Sequence, residues 1–206
     1  MERQHFNRID HPDGAEMIYD FAVQLARELP EDCIFMEIGC WKGGTTTALQ
    51  QAVRDSGKTD RWVWSVDPYG SKPFKLGTGI QEEADYNEDI YRNAIAAMSG
   101  YALAHGVNHH HWRMTSDDFF KILPQVQFYH HGAVINPKFG FVFIDGDHSP
   151  DTVERELNHL IPLMPAGRGM IVLDDVPYIT AEERPTVKAV ISESIQDNFR
   201  AYWRVR

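Results

Sequence analysis

The sequence predicts a three-layer α/β/α fold built on a doubly wound, mostly parallel sheet. Short apolar runs alternate with segments of helical hydrophobic spacing. A glycine-rich turn, Gly39-Cys40-Trp41-Lys42-Gly43-Gly44, joins the first apolar run to the helical segment after it. Four of the runs end in acids: Glu37, Asp67, Asp145 and the pair Asp174-Asp175. Ligands of open α/β sheets bind beyond the carboxyl ends of the strands, so these acids mark the expected site.

The elements follow in order. Asp13 to Leu29 places Ile18, Phe21, Ala22, Leu25 and Leu29 on one helical face, and Pro30 ends it. Ile34 to Glu37 is the first strand. Thr45 to Ser56 is the crossover helix, stopped by Gly57. Trp62 to Val66 is the second strand. Pro68 to Asp89, rich in glycine and acids, reads as a lid or specificity loop. Ile90 to Met98 returns to helical spacing, and His110 to Met114 is a third strand. Ser116 is placed to cap the helix bearing Phe119, Phe120 and Leu123. Phe139 to Ile144 is the fourth strand. Ser149 as cap and Pro150 in the first turn open a helix with Val153, Leu157, Leu160 and Ile161 inward. Met170 to Leu173 is the fifth strand, Pro185 to Ile195 a helix, and Ala201 to Val205 a sixth strand.

With 206 residues, 43% of them hydrophobic, the chain fits one domain with a substantial core. Residues 1–206 are therefore read as one domain, with 1–32 a helical N-terminal segment and 68–89 the lid. No apolar run approaches about 18 residues, so no membrane span is expected. The N-terminus lacks the basic-then-apolar order of a signal peptide. Cys33 and Cys40 have no metal-like spacing, and buried thiols in a cytoplasmic protein are the expectation. A net charge of -10 opposes a nucleic-acid partner.

Glycines let the first turn bend sharply and approach a ligand closely. The turn reads E-x-G-x-x-x-G, which is neither the G-x-G-x-x-G of dinucleotide enzymes nor a phosphate-gripping P-loop. An acid ending the next strand, Asp67, can accept hydrogen bonds from both hydroxyls of a ribose. A nucleoside-containing cofactor follows, and a nicotinamide reductase is disfavoured. A generic strand-to-helix turn is the competing explanation. Trp41 and Tyr69, each following one of these motifs, are either pocket walls or plain packing.

Glu37, Gly39, Gly43 and Asp67 resemble motif I and the strand-two acid of class I S-adenosylmethionine-dependent methyltransferases, whose fold is Rossmann-like. The resemblance implies that the turn, including Cys40 and Trp41, faces the amino-acid end of S-adenosylmethionine. It implies that Asp67 binds the ribose, and that Ser116 or Asp117 lies near the adenine amine; a plain helix cap is the alternative there. Phe141 to Ser149, with its D-G-D-H pattern, and Met170 to Asp175 resemble more narrowly the macrocin-type O-methyltransferases of the methyltransferase 24 family. That resemblance implies a divalent cation on Asp145, Asp174 and Asp175, with Asp145 also bordering the cofactor. It implies Asp147 as general base, with His148 as the alternative. The likeness runs from about Cys33 to Val176.

Three carboxylates converging within about 4 Å repel by about 4 kcal/mol per pair at an effective dielectric near 20. Raised pKa values or a bound cation resolve this, and an all-oxygen site suits Mg²⁺. Helix capping is the bland alternative for these acids. Because Ser149 supplies a cap, Asp145 and Asp147 are read as chemical rather than capping groups. The runs His109-His110-His111 and His130-His131 lack compact zinc spacing and are expected to be solvated surface residues.

The expected function is methyl transfer from S-adenosylmethionine to a hydroxyl of a small molecule, such as a sugar, polyketide or catechol-like compound, with Mg²⁺ assistance. A homo-oligomer is compatible with this. The alternatives are a metal-free methyltransferase on another acceptor and a non-catalytic S-adenosylmethionine-binding or interaction protein.

Overall fold

Strand β1 (Cys33–Ile38) is buried at every residue. Its sequence is correspondingly apolar without strict alternation, as expected for a strand covered on both faces. A computed structural model describes residues 12–70, 74–75, 81–82, 88–147, 149–165, 168–174 and 201–204. In chain order the elements are α1 (Pro12–Glu28), β1, α2 (Gly44–Ser56), β2 (Trp62–Val66), β3 (Phe74–Lys75), β4 (Gln81–Glu82) and α3 (Glu88–His105). There follow β5 (Asn108–Trp112), α4 (Ser116–Ile122), β6 (Phe128–His130), β7 (Ala133–Ile135), β8 (Lys138–Ile144), α5 (Pro150–Leu160), β9 (Met170–Leu173) and β10 (Ala201–Arg204).

The main sheet has the order β10-β9-β8-β1-β2-β5. All neighbours pair in parallel except β10, which runs antiparallel to β9. From β1 the chain winds outward through β2 to β5, then returns to build β8 and β9 on the other side. The order therefore reverses between β1 and β8, the switch point where such sheets open a crevice.

Side chains along β1 alternate between two cores. Ile34, Met36 and Ile38 join Trp64, Phe119, Val142, Val153, Leu157 and Ile171 on the face covered by α4 and α5. Phe35 joins Ile18, Leu25, Leu49, Val53, Phe141 and Val172 on the face covered by α1 and α2. Each large apolar side chain buried this way contributes about 1.5–3 kcal/mol. Gly140 in β8 permits the α1 packing, because a Cβ there would meet Leu29 Cδ1 at 2.7 Å. Arg61 lies wholly buried and donates to the carbonyls of Cys33, Ala26 and Leu29. It thereby satisfies carbonyls at the end of α1 that the helix itself leaves open.

Several boundaries differ from expectation. The third strand is Asn108–Trp112 rather than His110 to Met114, since parallel pairing sets Asn108 beside Trp62 and Trp112 beside Val66. The Met114 N–H turns back to the Trp112 carbonyl at 2.9 Å and ends the strand. Helix α3 continues past Met98 to His105, because Tyr101 and Ala102 extend its buried stripe and Gly100 faces open space. The hairpin β6–β7 has no clear sequence signal; Tyr129 and Val134, paired across it, are both exposed. The last strand is Ala201–Arg204, and it is the antiparallel edge of the sheet. Within 68–89 the structure describes the pair β3–β4; the helix read at Pro185 to Ile195 lies outside the described residues.

Candidate functional site

The strand ladder continues one residue past each tip. The N–H of Asp67 reaches the Trp112 carbonyl at 3.1 Å, and Gly39 reaches Val66 at 2.9 Å. Asp145 reaches Ile38 at 2.8 Å, and Asp174 reaches Ile144 at 2.9 Å. Asp67, Gly39, Asp145 and Asp174 therefore stand in one transverse row across four neighbouring strands. Adjacent strands lie about 4.8 Å apart, so Asp145 and Asp174 are next-door neighbours along it. Asp175, the third expected metal ligand, lies outside the described residues, as does His148.

Gly39 is the pivot of the row. Its φ of 83° is left-handed, and a Cβ on it would fall 2.1 Å from the Asp145 carbonyl oxygen. Only glycine lets the β1–α2 turn lie against the end of β8. Gly43 (φ 76°) is held similarly against Met98 of α3.

Asp67 closes this turn against the next one. Its Oδ2 accepts the N–H of Cys40 (2.8 Å) and Trp41 (3.2 Å), and its Oδ1 accepts the N–H of Tyr69 (2.9 Å). Burial pushes its pKa up, and the three backbone donors oppose that rise. Trp41 and Tyr69 both hold left-handed backbones, with φ of 41° and 43°. Trp41 is half-buried with Lys42 Nζ 3.6 Å over its ring. Tyr69 is buried and packs on Tyr91 and His111 with ring centroids 5.2 and 5.4 Å away. The Cys40 thiol points inward to the Val66 carbonyl, so at Cys40 the turn presents backbone rather than side chain. Both cysteines are buried free thiols.

Glu37 is also buried and takes the Thr46 hydroxyl of α2 on Oε2. Burial pushes its pKa up to about 8, the Thr46 hydroxyl opposes this, and Asp67 adds to it. The carboxyl is thus largely protonated at neutral pH. It braces the strand against the helix behind the turn. Thr46 is a residue that sequence reasoning misses; its spacing of nine residues from Glu37 carries no recognisable motif.

The residues expected on the adenine side follow β5. Thr115, not Ser116, caps α4, because its Oγ1 accepts the Asp118 N–H at 3.2 Å. An N-cap needs an extended backbone, and Thr115 has it (ψ 156°) while Ser116 already belongs to the helix. Asp117 is exposed and pairs with Arg155 of α5 at 3.2 and 3.4 Å.

The capping at α5 also differs from expectation. Ser149 stands at the N-cap position, but its side chain makes no capping bond. Its hydroxyl donates to Thr152 Oγ1 at 2.9 Å. Asp147 instead accepts the Ser149 N–H (2.9 Å) and the Thr152 hydroxyl (3.0 Å). Asp147 therefore fixes the loop leading into α5, while the Thr152 and Val153 N–H groups go to the Ser149 carbonyl. A carboxylate offers about four lone-pair positions, so capacity on both oxygens remains.

The histidine run is not a solvated surface. His109 and His111, two residues apart on a strand, share one face, and Ser65 bridges His109 Nε2 (3.0 Å) and His111 Nδ1 (2.9 Å). Burial lowers the pKa of both to about 4. The two-residue period of a strand brings them together, and His110 alone of the three is exposed. At the opposite end of the sheet, Glu31, Asp60 and His131 are, among the described residues, the one group of three with ligand atoms within 4.8 Å of one another. They lie far along the chain direction from the row of tips and do not belong to it. Among the described residues no helix is long and apolar enough to cross a membrane.

Comparison with known proteins bears on this crevice. Solved structures with the same fold include an O-methyltransferase from Bacillus cereus in complex with SAH, with a TM-score of 0.52 and 15% identity over 81% of this chain. This chain spans 57% of that protein's length. The calicheamicin methyltransferase CalS11 gives a TM-score of 0.58 and 10% identity, over 95% of this chain and 80% of that one. The O-methyltransferase NovP gives 0.57 and 16%, over 93% and 78%. No curated protein matches the sequence. A family model described as a methyltransferase domain matches residues 36–176, from within β1 to just past the end of β9. That match takes in the whole row of strand tips and more than half of the chain, and the protein therefore belongs to the methyltransferase-domain family.

Proposed function

We propose that the protein transfers the methyl group of S-adenosylmethionine to a hydroxyl of a small molecule, with Mg²⁺ held between the ends of β8 and β9. The observation that carries this is the transverse row Asp67–Gly39–Asp145–Asp174 at the topological switch point. Asp67 and the glycine turn lie on one side of the β1–β8 boundary, and the paired acids lie on the other. A nucleoside cofactor and a hard cation would thus share one crevice. The solved relatives named above for methyl transfer to oxygen support the choice of acceptor.

The donor set suits the cation: Asp145 and Asp174 are hard oxygen ligands on neighbouring strands, and Asp175 follows directly in sequence. When bound there, such a cation would supply charge stabilisation to an oxygen that is losing its proton. The chain's own residues do the remainder. The Gly39–Gly43 turn admits the cofactor closely, and Asp67 holds its ribose. Asp147, at the mouth of the row, accepts the acceptor's proton, with His148 the alternative base. Since the sulfonium already activates the methyl group, alignment and charge stabilisation are the protein's main contributions. A cytoplasmic setting and possible self-association complete the proposal.

The test combines calorimetry with turnover. S-adenosylhomocysteine should bind, and a panel of hydroxylated small molecules should yield a methylated product that chelator suppresses. Turnover persisting in chelator would remove the cation from the proposal. Cofactor binding without turnover across the panel would favour a non-catalytic binding protein.

A further inference from the structure

Thr152 sits in the first turn of α5 and is buried. Its hydroxyl stands at the centre of a side-chain network. Arg155 Nη2 lies 3.0 Å from Thr152 Oγ1, Ser149 Oγ 2.9 Å and Asp147 Oδ2 3.0 Å. Arg155 is anchored in turn on Asp117 of α4, with Nε on Oδ1 at 3.2 Å and Nη2 on Oδ2 at 3.4 Å. A chain Asp117–Arg155–Thr152–Asp147 therefore runs from the turn after β5 to the end of β8.

The chemistry of the partners fixes the direction of every bond. A guanidinium only donates, and an ionised carboxylate only accepts. A hydroxyl offers one hydrogen and two lone pairs. At Thr152, Arg155 fills one lone pair and the Ser149 hydroxyl fills the other, so the one hydrogen goes to Asp147 Oδ2. The Ser149 N–H takes Oδ1 at 2.9 Å. One donor on each oxygen fixes the plane of the carboxylate and leaves a lone pair of each oxygen over. Because both Thr152 lone pairs are filled, a proton gained by Asp147 cannot be shared with Thr152 and stays at one of those remaining positions. Glu156, one turn further along α5, is fully buried, and burial pushes its pKa up to about 7. Among the described residues neither of its carboxyl oxygens has a hydrogen-bond partner, so it acts on the network through charge alone.

We propose that Thr152 is a positioning residue for Asp147: its hydroxyl, aimed in one direction by Arg155 and Ser149, holds the carboxylate with its remaining lone pairs turned to the acceptor's hydroxyl. The inference rests on the reading that makes Asp147 the general base. In that step the proton leaves the acceptor oxygen, which keeps the electron pair of the broken O–H bond. A lone pair of Asp147 forms the new O–H bond. Without the Thr152 hydroxyl the carboxylate keeps one tether, the Ser149 N–H, and turns about it.

The experiment is steady-state methylation at one fixed pH, with the hydroxylated acceptor that wild type methylates fastest. It compares wild type with Thr152→Val, Thr152→Ser, Arg155→Met and Asp147→Asn, alongside calorimetry of S-adenosylhomocysteine. Thr152→Val, similar in size but lacking the hydroxyl, should lose about tenfold in kcat, the worth of one hydrogen bond. Its KM and cofactor affinity should stay within about twofold of wild type. Thr152→Ser should restore kcat. Arg155→Met, which leaves a Thr152 lone pair open, should fall in the same direction by less. Wild-type kcat in Thr152→Val overturns the proposal. So does a Thr152→Ser as slow as Thr152→Val, or a parallel loss of kcat and cofactor affinity, which would assign Thr152 to the start of α5 alone. Should Thr152→Val not fold, Arg155→Met decides, and undiminished kcat there overturns the proposal. Full turnover in Asp147→Asn would defeat the base reading, and this proposal with it. An inactive Asp147→Asn beside a fully active Thr152→Val would defeat this proposal alone. Absence of wild-type turnover would defeat the enzymatic reading on which both stand.

Discussion

Replacing Glu37 with glutamine should stabilise the protein relative to wild type progressively as pH rises. In the fold Glu37 has a pKa of about 8, because burial outweighs the Thr46 hydroxyl. In the unfolded chain it ionises near its ordinary value of 4.5. Between those values the unfolded state has released a proton that the folded state keeps. Stability then falls with rising pH, by about 1.4 kcal/mol per pH unit for one such proton. Below about pH 4.5 the contribution is level, and above about pH 8 the loss is complete. Taken over that whole window, the penalty has a ceiling of about 5 kcal/mol, and relaxation or water entry would reduce it. The substituted amide cannot ionise, and its oxygen can still accept from Thr46. Urea unfolding at pH 5, 6, 7 and 8 measures the effect as the difference between the two proteins. Glu156 titrates in both and cancels. The gap should widen by about 1.4 kcal/mol per pH unit until it levels near pH 8. Parallel stability curves would show that Glu37 is ionised in the fold and that its burial has been misjudged. Cofactor affinity should meanwhile change by less than about threefold, since the carboxyl braces the turn from behind.

The row of tips yields further expectations. Asp67→Ala should weaken S-adenosylhomocysteine at least about tenfold in calorimetry and cost about 3 kcal/mol in urea unfolding, because three backbone N–H groups lose their acceptor. Asp174→Ala should leave that affinity intact and abolish turnover; weakened cofactor binding there would contradict the division of labour along the row. Gly39→Ala should destabilise by about 3 kcal/mol or more, combining a left-handed alanine with a 2.1 Å contact to the Asp145 carbonyl. A loss under about 1 kcal/mol would mean that the turn yields easily.

Sequence reasoning reached the sheet because the central strands are apolar enough to reveal themselves: Ile34 to Glu37, Trp62 to Val66, Phe139 to Ile144 and Met170 to Leu173 all fall within observed strands. It stumbled at the edge. Asn108–Trp112 is polar, and its limits are set by pairing with β2 rather than by its own pattern. The same strand hid its histidines, since adjacency in sequence obscured that His109 and His111 share a face with Ser65 of another strand. At α4 the cap is Thr115, one residue before the expected Ser116, while at α5 Ser149 holds the expected N-cap position without a side-chain capping bond. A serine, threonine or aspartate beside a helix start is equally able to cap, and only backbone direction decides among neighbours. Glu156 gave no signal at all, because the helical pattern of Val153, Leu157 and Leu160 allows a polar residue at its margin.

Asp67 leads to the sharpest test of the cofactor site. Left-handed backbones at Trp41 and Tyr69 cost about 1–2 kcal/mol each, and such residues persist only where their surroundings fix them. Both donate their N–H to Asp67, together with Cys40. The acid read as a ribose ligand is therefore also the clasp of the two turns that would flank the ribose. About four lone-pair positions serve a carboxylate, and three are occupied. Roughly one remains for the ligand, so Asp67 can hold one ribose hydroxyl well and not two. Comparing S-adenosylhomocysteine with its 2′-deoxy and 3′-deoxy forms by calorimetry separates the cases. Loss of one particular hydroxyl should cost about tenfold in affinity or more, and loss of the other much less. Equal, large losses would mean that Asp67 surrenders a backbone donor on binding, and that the clasped turn is not the geometry in which the cofactor is held.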